Sequence, residues 1–285
     1  MAAWSVSGKT VVVTGANIGI GKETARAMAK SGARTILVCR SEDKGRAALE
    51  ELRADTGSEH LSLELCDFSS QASIRAFAAR FTVAHDRLDV LINNAGLLLP
   101  TRHTTDDGLE TTFATNHLGY FLTTHLLLDL LKKSAPSRIV VVASEAHRRQ
   151  KLDFDDLQAE KSYDGLSVYG RSKLANIYFT YELAERIEGS GVTANCLHPG
   201  VVGTDFGKKE GGLIKLALSL AKPFLLSAEK GAATQIYLAE SPEVSQVSGK
   251  YFDKKRPIKS SRESMDVAAR KRLWDVSEKL VGLRG

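Results

Sequence analysis

The residues Thr14-Gly15-Ala16-Asn17-Ile18-Gly19-Ile20-Gly21 join an apolar run, Thr10 to Val13, to a helical pattern from Lys22 to Ser31. A strand that passes through three glycines into a helix can bring its backbone very close to a ligand. Gly15 permits the tight turn, Gly19 lets the backbone approach a pyrophosphate, and Gly21 allows close packing of the helix, whose N-terminus favours an anion. Glycines also make plain turns. The position of this loop, after a first strand and before a helix ending at Ser31-Gly32, is what makes it a nucleotide loop.

Outward from the loop the same alternation continues. Thr35 to Cys39, Leu61 to Leu65, Leu88 to Ile92, Arg138 to Ala143, Val192 to Leu197 and Lys250 to Phe252 read as strands. Helical patterns separate them, at Glu42 to Asp55 and Ile74 to Ala84 among others. Strands this apolar, divided by helices, are those of a parallel sheet covered on both faces, so the fold class is α/β. No linker, repeat or composition shift divides the chain, which reads as one doubly wound domain over 1–285. Two segments interrupt the alternation, the polar Glu145 to Gly165 and the initially glycine-rich, then apolar Val202 to Leu226. Excursions of this kind near the carboxyl ends of strands are where such folds place substrate-binding elements.

The end of the second strand reads Val38-Cys39-Arg40. A site for NAD would present a carboxylate there to the ribose 2′-hydroxyl; Arg40, with Lys44 one turn into the next helix, suits a 2′-phosphate. A solvated strand-end arginine is the plainer alternative. NADP(H) is therefore the expected cofactor. Glu42 and Asp43 belong to the first turn of the following helix, where acidic residues suit the dipole.

The composition is that of an ordinary soluble protein, with 43% hydrophobic and 26% charged residues among 285. Lysine plus arginine number 39 against 34 acidic residues, and the basic residues are dispersed, which argues against a nucleic-acid partner. Cys39, Cys66 and Cys196 each end or follow a strand-like run and read as small buried hydrophobes. No apolar stretch reaches the roughly 18 residues that span a bilayer, so a cytoplasmic location is expected. His103, His117, His125, His147 and His198 show no metal-ligand spacing, and no metal is expected. Asp153, Asp155 and Asp156 read as a solvated loop, and Ser144 lacks the elbow of a hydrolase nucleophile.

Tyr169 and Lys173 occur as Tyr-Gly-Arg-Ser-Lys in a helical segment. Four residues advance a helix by about 400°, so the two side chains leave about 40° apart and can act on one atom. An ammonium about 4 Å from the phenol, at an effective dielectric of about 20, lowers its pKa by up to ~3 units before desolvation subtracts. Tyr-x-x-x-Lys by itself is common on helices with the tyrosine in the core. Its weight here comes from the glycine loop, from Asn93-Asn94-Ala95-Gly96 after the fourth strand, and from Ser144 after the fifth.

With these motifs in order, the chain resembles a classical short-chain dehydrogenase/reductase, from TGANIGIG through NNAG, Asn116, Ser144 and Tyr169/Lys173 to His198-Pro199-Gly200-Val201-Val202-Gly203-Thr204. The resemblance implies a Rossmann-type domain with seven parallel strands in the order 3-2-1-4-5-6-7. It implies that Ser144 holds the substrate oxygen, Tyr169 exchanges its proton, and Lys173 binds the nicotinamide ribose. Asn116 would hold a water linking Lys173 to solvent; a helix-packing amide is the alternative for that residue. The cofactor would lie along Gly15, Asn17, Ile18, Gly19, Ile20 and Gly21, with Asp67 and Phe68 at the adenine and Asn94, Ala95 and Gly96 stabilising the sheet beside it. Pro199, Gly200, Val202 and Thr204 would follow the nicotinamide.

Val38-Cys39-Arg40, Asn116-His117-Leu118-Gly119, Leu152-Asp153-Phe154 and Lys173-Leu174-Ala175-Asn176 look most like the retinol dehydrogenase branch. Many vertebrate members of that branch carry an N-terminal membrane segment, whereas this chain starts almost at its first strand. An NADP(H)-dependent oxidoreductase interconverting a small lipophilic alcohol and its aldehyde or ketone is the expectation. A catalytically idle NADP(H)-binding regulator and a carbonyl reductase for a non-retinoid substrate are the alternatives. Residues 205–226 are expected to form a substrate lid, with 213–226 apolar enough to touch a membrane surface. Leu118, Leu122, Leu126, Leu127 and Leu130 exceed what one helix face needs, and the helices Thr111 to Leu131 and Gly165 to Ile187 are expected to build a homo-oligomer interface; packing within one subunit is the alternative.

Overall fold

A computed structural model describes residues 4–200 and 226–284 of the chain. The first half alternates strand and helix: β1 (Thr10–Thr14), α1 (Gly19–Lys30), β2 (Arg34–Cys39), α2 (Glu42–Thr56), β3 (Leu61–Leu65) and α3 (Gln71–Ala84). After β4 (Val90–Asn93) come a single helical turn α4 (Thr111–Phe113), a π-helical turn (Ala114–Leu118) and α5 (Gly119–Lys133). Then follow β5 (Ser137–Val142), a 3-10 helix (Glu145–Arg149), the long α6 (Gly165–Arg186) and β6 (Val192–His198). The C-terminal part supplies α7 (Ala228–Glu240), β7 (Tyr251–Asp253), β8 (Arg256–Ile258) and α8 (Val267–Leu280).

The strands form one sheet in the order β3-β2-β1-β4-β5-β6-β7-β8. β1 to β7 pair in parallel, as expected, and each buries alternate residues on opposite faces. Val12, Leu91, Ile139 and Val141 pack under α3, α5 and α6, while Val11, Val13, Ile92 and Val140 pack under α1, α2 and α7. The eighth strand corrects the seven-strand expectation. β8 pairs antiparallel with β7 across a tight turn in which Lys254 and Lys255 both have positive φ. Lysines rarely adopt that conformation, so no glycine or asparagine marked the turn in the sequence.

α8 covers the outer face of α5 and α6. Trp274 lies flat on Phe179 at 6.0 Å between ring centroids and edge-on to Phe121 at 4.9 Å. Leu118, Leu122 and Leu127 are buried within the subunit, and Leu126 and Leu130 pack against the same core. Leu126 and Leu130 remain partly exposed in the single chain, so the expected homo-oligomer interface stays a proposal. Among the described residues no helix is long and apolar enough to cross a membrane. The expected lid, 205–226, lies outside the described residues except for Leu226, as do Val202 and Thr204.

Candidate active site

The strand order reverses between β1 and β4, because β2 and β3 extend to one side and β4 onward to the other. A crevice opens at the carboxyl ends of strands at such a point. The glycine loop lies there. Gly15 has φ +65° and Gly19 has φ +58°, values a residue with a side chain rarely adopts. A Cβ on Gly15 would stand 2.8 Å from the Cα of Ala95, and one on Gly21 would stand 2.4 Å from the Gly15 carbonyl oxygen. The loop is tied to the end of β4 by Thr14, which the sequence reading had not singled out. Its hydroxyl accepts the N–H groups of Asn94 (2.8 Å) and Ala95 (2.9 Å), and the Asn94 amide donates to the Thr14 carbonyl at 2.8 Å.

α1 differs from the helices around it. Ser41, Ser70, Asp164 and Asp266 cap α2, α3, α6 and α8 with their side chains. At α1 the N-cap residue is Ile18, half exposed, with no side-chain cap and no acidic residue in the first turn. Among the described residues no side chain caps its first N–H groups, which leaves them able to receive an anion such as a pyrophosphate. Asn17, Gly19 and Ile20 are partly exposed around the same turn. The residues fit a dinucleotide.

At the tip of β2 and the start of α2, Arg40 and Lys44 are solvent-exposed. The Arg40 guanidinium stands 3.6 Å from the Asp67 carboxylate, bringing together two residues that the sequence reading placed at the same end of the cofactor. Asp67 itself is braced by the N–H and hydroxyl of Ser69, and Phe68 is buried. The Phe68 carbonyl packs on Gly119, where a Cβ would stand 2.9 Å from that oxygen.

Ser144, Tyr169 and Lys173 converge where β5 ends against α6. The Ser144 hydroxyl is hydrogen-bonded to the Tyr169 phenol, and the Lys173 Nζ lies 5.5 Å from the centre of the Tyr169 ring and 5.6 Å from that of Tyr120. Lys173 is buried and donates to the carbonyl of Val142 at 3.0 Å. Gly96 borders this lysine and Asn116: a Cβ there would meet the Asn116 Oδ1 at 3.2 Å and the Lys173 Nζ at 3.6 Å.

The electrostatics run against the sequence expectation. Burial pushes the Tyr169 phenol up to about 12, with the Ser144 hydroxyl pulling the other way, and burial pushes Lys173 down to about 7. Desolvation outweighs the attraction that a fully charged lysine would supply, and a half-neutralised amine supplies less of it.

Asn116 sits in the π-helical turn, where Gly119 bonds back to the Ala114 carbonyl. This is a helix distortion of the kind that marks functional sites, and no residue pattern announced it. The Asn116 side chain is occupied: its Oδ1 accepts from the Leu97 N–H at 2.8 Å, and its Nδ2 donates to the Leu97 carbonyl (2.9 Å) and to Ser172 (3.0 Å). Both amide protons are spent within the protein, so this side chain has no proton left to give a water. Pro199 and Gly200 follow β6 at the same edge of the sheet, with Gly200 at φ +83°. Among the described residues no three His, Cys, Asp or Glu side chains gather as a metal site requires. Burial raises the thiols of Cys39, Cys66 and Cys196, which keeps them protonated.

Comparison with known proteins assigns the chain to a family. Residues 9–212 fit the model of the short chain dehydrogenases. Retinol dehydrogenase 12 of Mus musculus is 47% identical over 280 residues, covering 98% of this chain and 88% of that protein. The crystal structure of an uncharacterized protein from Mycobacterium paratuberculosis is 31% identical, covers 98% of this chain and 96% of its own, and superposes with a TM-score of 0.80. The Pseudomonas aeruginosa RhlG/NADP active-site complex is 25% identical, covers 88% of this chain and 97% of its own, and has a TM-score of 0.71. The chain belongs to the short-chain dehydrogenase/reductase family, in its retinol dehydrogenase-like branch.

Proposed function

We propose that the protein is an NADP(H)-dependent oxidoreductase that interconverts a lipophilic, retinoid-like alcohol and its aldehyde, with Tyr169 as the general acid/base. The observation that carries the reading is the bond between the Ser144 hydroxyl and the Tyr169 phenol, with the Lys173 ammonium held beside the same ring. NADPH, when bound, supplies the hydride. Ser144 orients the substrate oxygen, and Tyr169 places a proton on it. A phenol held near 12 is protonated at neutral pH, the form needed to reduce a carbonyl. Lys173, which donates to the Val142 carbonyl, would hold the cofactor ribose and return a proton toward the phenol.

NADP(H) is favoured over NAD(H) by Arg40 and Lys44, since no carboxylate immediately ends β2 to receive a ribose hydroxyl. The lipophilic substrate class rests on the retinol dehydrogenase relatives. The test is an NADPH-oxidation screen over retinal, farnesal, medium-chain aldehydes and simple ketones. Turnover of retinal and long-chain aldehydes is expected; turnover of small polar carbonyls alone would overturn the substrate class. Tight cofactor binding without turnover of any carbonyl would favour an idle NADP(H)-binding regulator.

A further inference from the structure

We propose that His147 is a positioning residue for this chemistry: a neutral imidazole carrying its proton on Nδ1, which locks the turn bearing Ser144 against the helix bearing Tyr169. The inference rests on the functional reading above and assigns it a residue that touches neither substrate nor cofactor.

His147 is the third residue of the 3-10 helix that starts directly after Ser144, and its surface is 0% exposed. Its Nδ1 lies 2.6 Å from the carbonyl oxygen of Ser144, and its Nε2 lies 3.1 Å from the backbone nitrogen of Ser261. An amide N–H can only donate, so Nε2 accepts. That leaves Nδ1 to carry the proton and donate to Ser144. Only the neutral Nδ1–H tautomer makes both bonds. Burial lowers the pKa of this ring and keeps it neutral, with the Ser144 carbonyl opposing. The charged and titratable groups around it are Glu145 and Arg148 on its own turn, His198 from β6, and Tyr251 from β7, whose ring stands edge-on at 5.1 Å.

The far end of this tie returns to the catalytic helix. The Ser264 hydroxyl donates to the Ser261 carbonyl at 2.6 Å and lies 2.6 Å from the Ser260 hydroxyl, which lies 2.8 Å from the hydroxyl of Tyr181. Tyr181 stands on α6, the helix that carries Tyr169 and Lys173. The path from Ser144 through His147, Ser261, Ser264 and Ser260 therefore closes on the helix that presents the phenol.

A second contact fixes the other side. The 3-10 helix presses on α6 at Gly170, next to Tyr169, where a Cβ would stand 2.8 Å from the Ala146 carbonyl oxygen and 2.7 Å from Gln150 Cγ. Contact at Gly170 sets how near the Ser144 turn comes to α6, and the His147 tie holds its orientation there. A misplacement of about 1 Å in such a pair can cost on the order of 10²-fold in rate.

The experiment compares the wild-type protein with His147→Phe and His147→Asn. Phenylalanine fills the ring's volume and makes neither bond, whereas asparagine can return an N–H to the Nδ1 position. The readouts are kcat with NADPH and retinal, the NADPH Kd by fluorescence titration, and the ¹⁵N shifts of the His147 ring in the wild-type protein. His147→Phe is expected to lose about tenfold or more in kcat with an NADPH Kd within about twofold of wild type. His147→Asn is expected to recover kcat to within about threefold of wild type, and the His147 ring of the wild-type protein is expected to carry its proton on Nδ1. Wild-type kcat in folded His147→Phe, an equal loss in cofactor affinity, or a proton on Nε2 would overturn the proposal. The ring shifts need neither turnover nor a folded variant, so an Nε2–H ring refutes the tie even where the functional reading stands. Absence of wild-type turnover overturns that reading and this role together.

Discussion

Lys173 and Asn176, one turn apart on α6, donate to the same acceptor, the carbonyl oxygen of Val142, at 3.0 and 3.4 Å. The last residue of β5 thus holds the lysine that stands beside the phenol. Asn176 is held in turn by His117, whose Nδ1 lies 3.4 Å from its Oδ1 and whose Nε2 lies 3.0 Å from the Ser277 hydroxyl on α8. A carbonyl orients an ammonium without neutralising it, and so burial brings Lys173 down to about 7.

An arginine cannot shed its charge in that position. Lys173→Arg is expected to lose about 10²-fold or more in kcat/KM and about 3 kcal/mol in stability, because a buried guanidinium stays charged. Steady-state kinetics and urea unfolding check both; a variant close to wild type in both would show that Lys173 is not confined as described.

Tyr169→Phe removes only the phenolic proton from a ring that the helix keeps in place. The variant is expected to lose about 10²-fold or more in kcat while its NADPH Kd stays within a few-fold of wild type. Retention of more than about a tenth of wild-type kcat would mean that another group supplies the proton.

The pair of Arg40 with Asp67 is exposed, so it is worth at most about 1 kcal/mol and gives way easily to a phosphate. Arg40→Ala is expected to weaken NADPH binding roughly ten- to a hundredfold and to leave NADH binding nearly unchanged. Titration calorimetry with both cofactors measures this. Equal loss for the two would place Arg40 away from the 2′-phosphate.

His117 is fully buried, and desolvation depresses its pKa from 6.5 to about 4, against the bond to Asn176. Above pH 6.5 folded and unfolded chains both hold it neutral; as the pH falls, the unfolded chain takes up the proton first. Stability is therefore expected to fall between pH 6.5 and about 4, by on the order of 3 kcal/mol from this residue, with His147 and His198 shifted in the same direction. Urea midpoints at pH 7.5, 6 and 5 test the sign, and a midpoint constant across them would contradict it.

Trp274 joins α8 to α5 and α6 through Phe121 and Phe179, with the Arg186 guanidinium 4.4 Å from its ring centre. Trp274→Ala is expected to cost about 3–5 kcal/mol, as large-to-small changes in a core do. Urea unfolding reads the loss directly. A change under about 1 kcal/mol would mean that α8 is not part of the core.

The local pattern of the chain was enough to determine the parallel α/β sheet, the tight glycine loop after β1 and the presence of Tyr169 and Lys173 on one helix face. Periodicity, glycine position and helical spacing act over a few residues, and those are what a sequence displays. The π turn around Asn116, the lysine turn before β8, the packing of Trp274 on Phe121 and Phe179 and the tie from Ser144 through His147 to Tyr181 were decided by tertiary structure. Each joins or strains residues through partners distant in the chain, His147 with Ser261 and His117 with Ser277 among them. The same holds for the acid/base state of the site. Spacing alone predicted a lysine that lowers the phenol's pKa, but the depth of burial, which only the packed fold supplies, moved the phenol up and the lysine down.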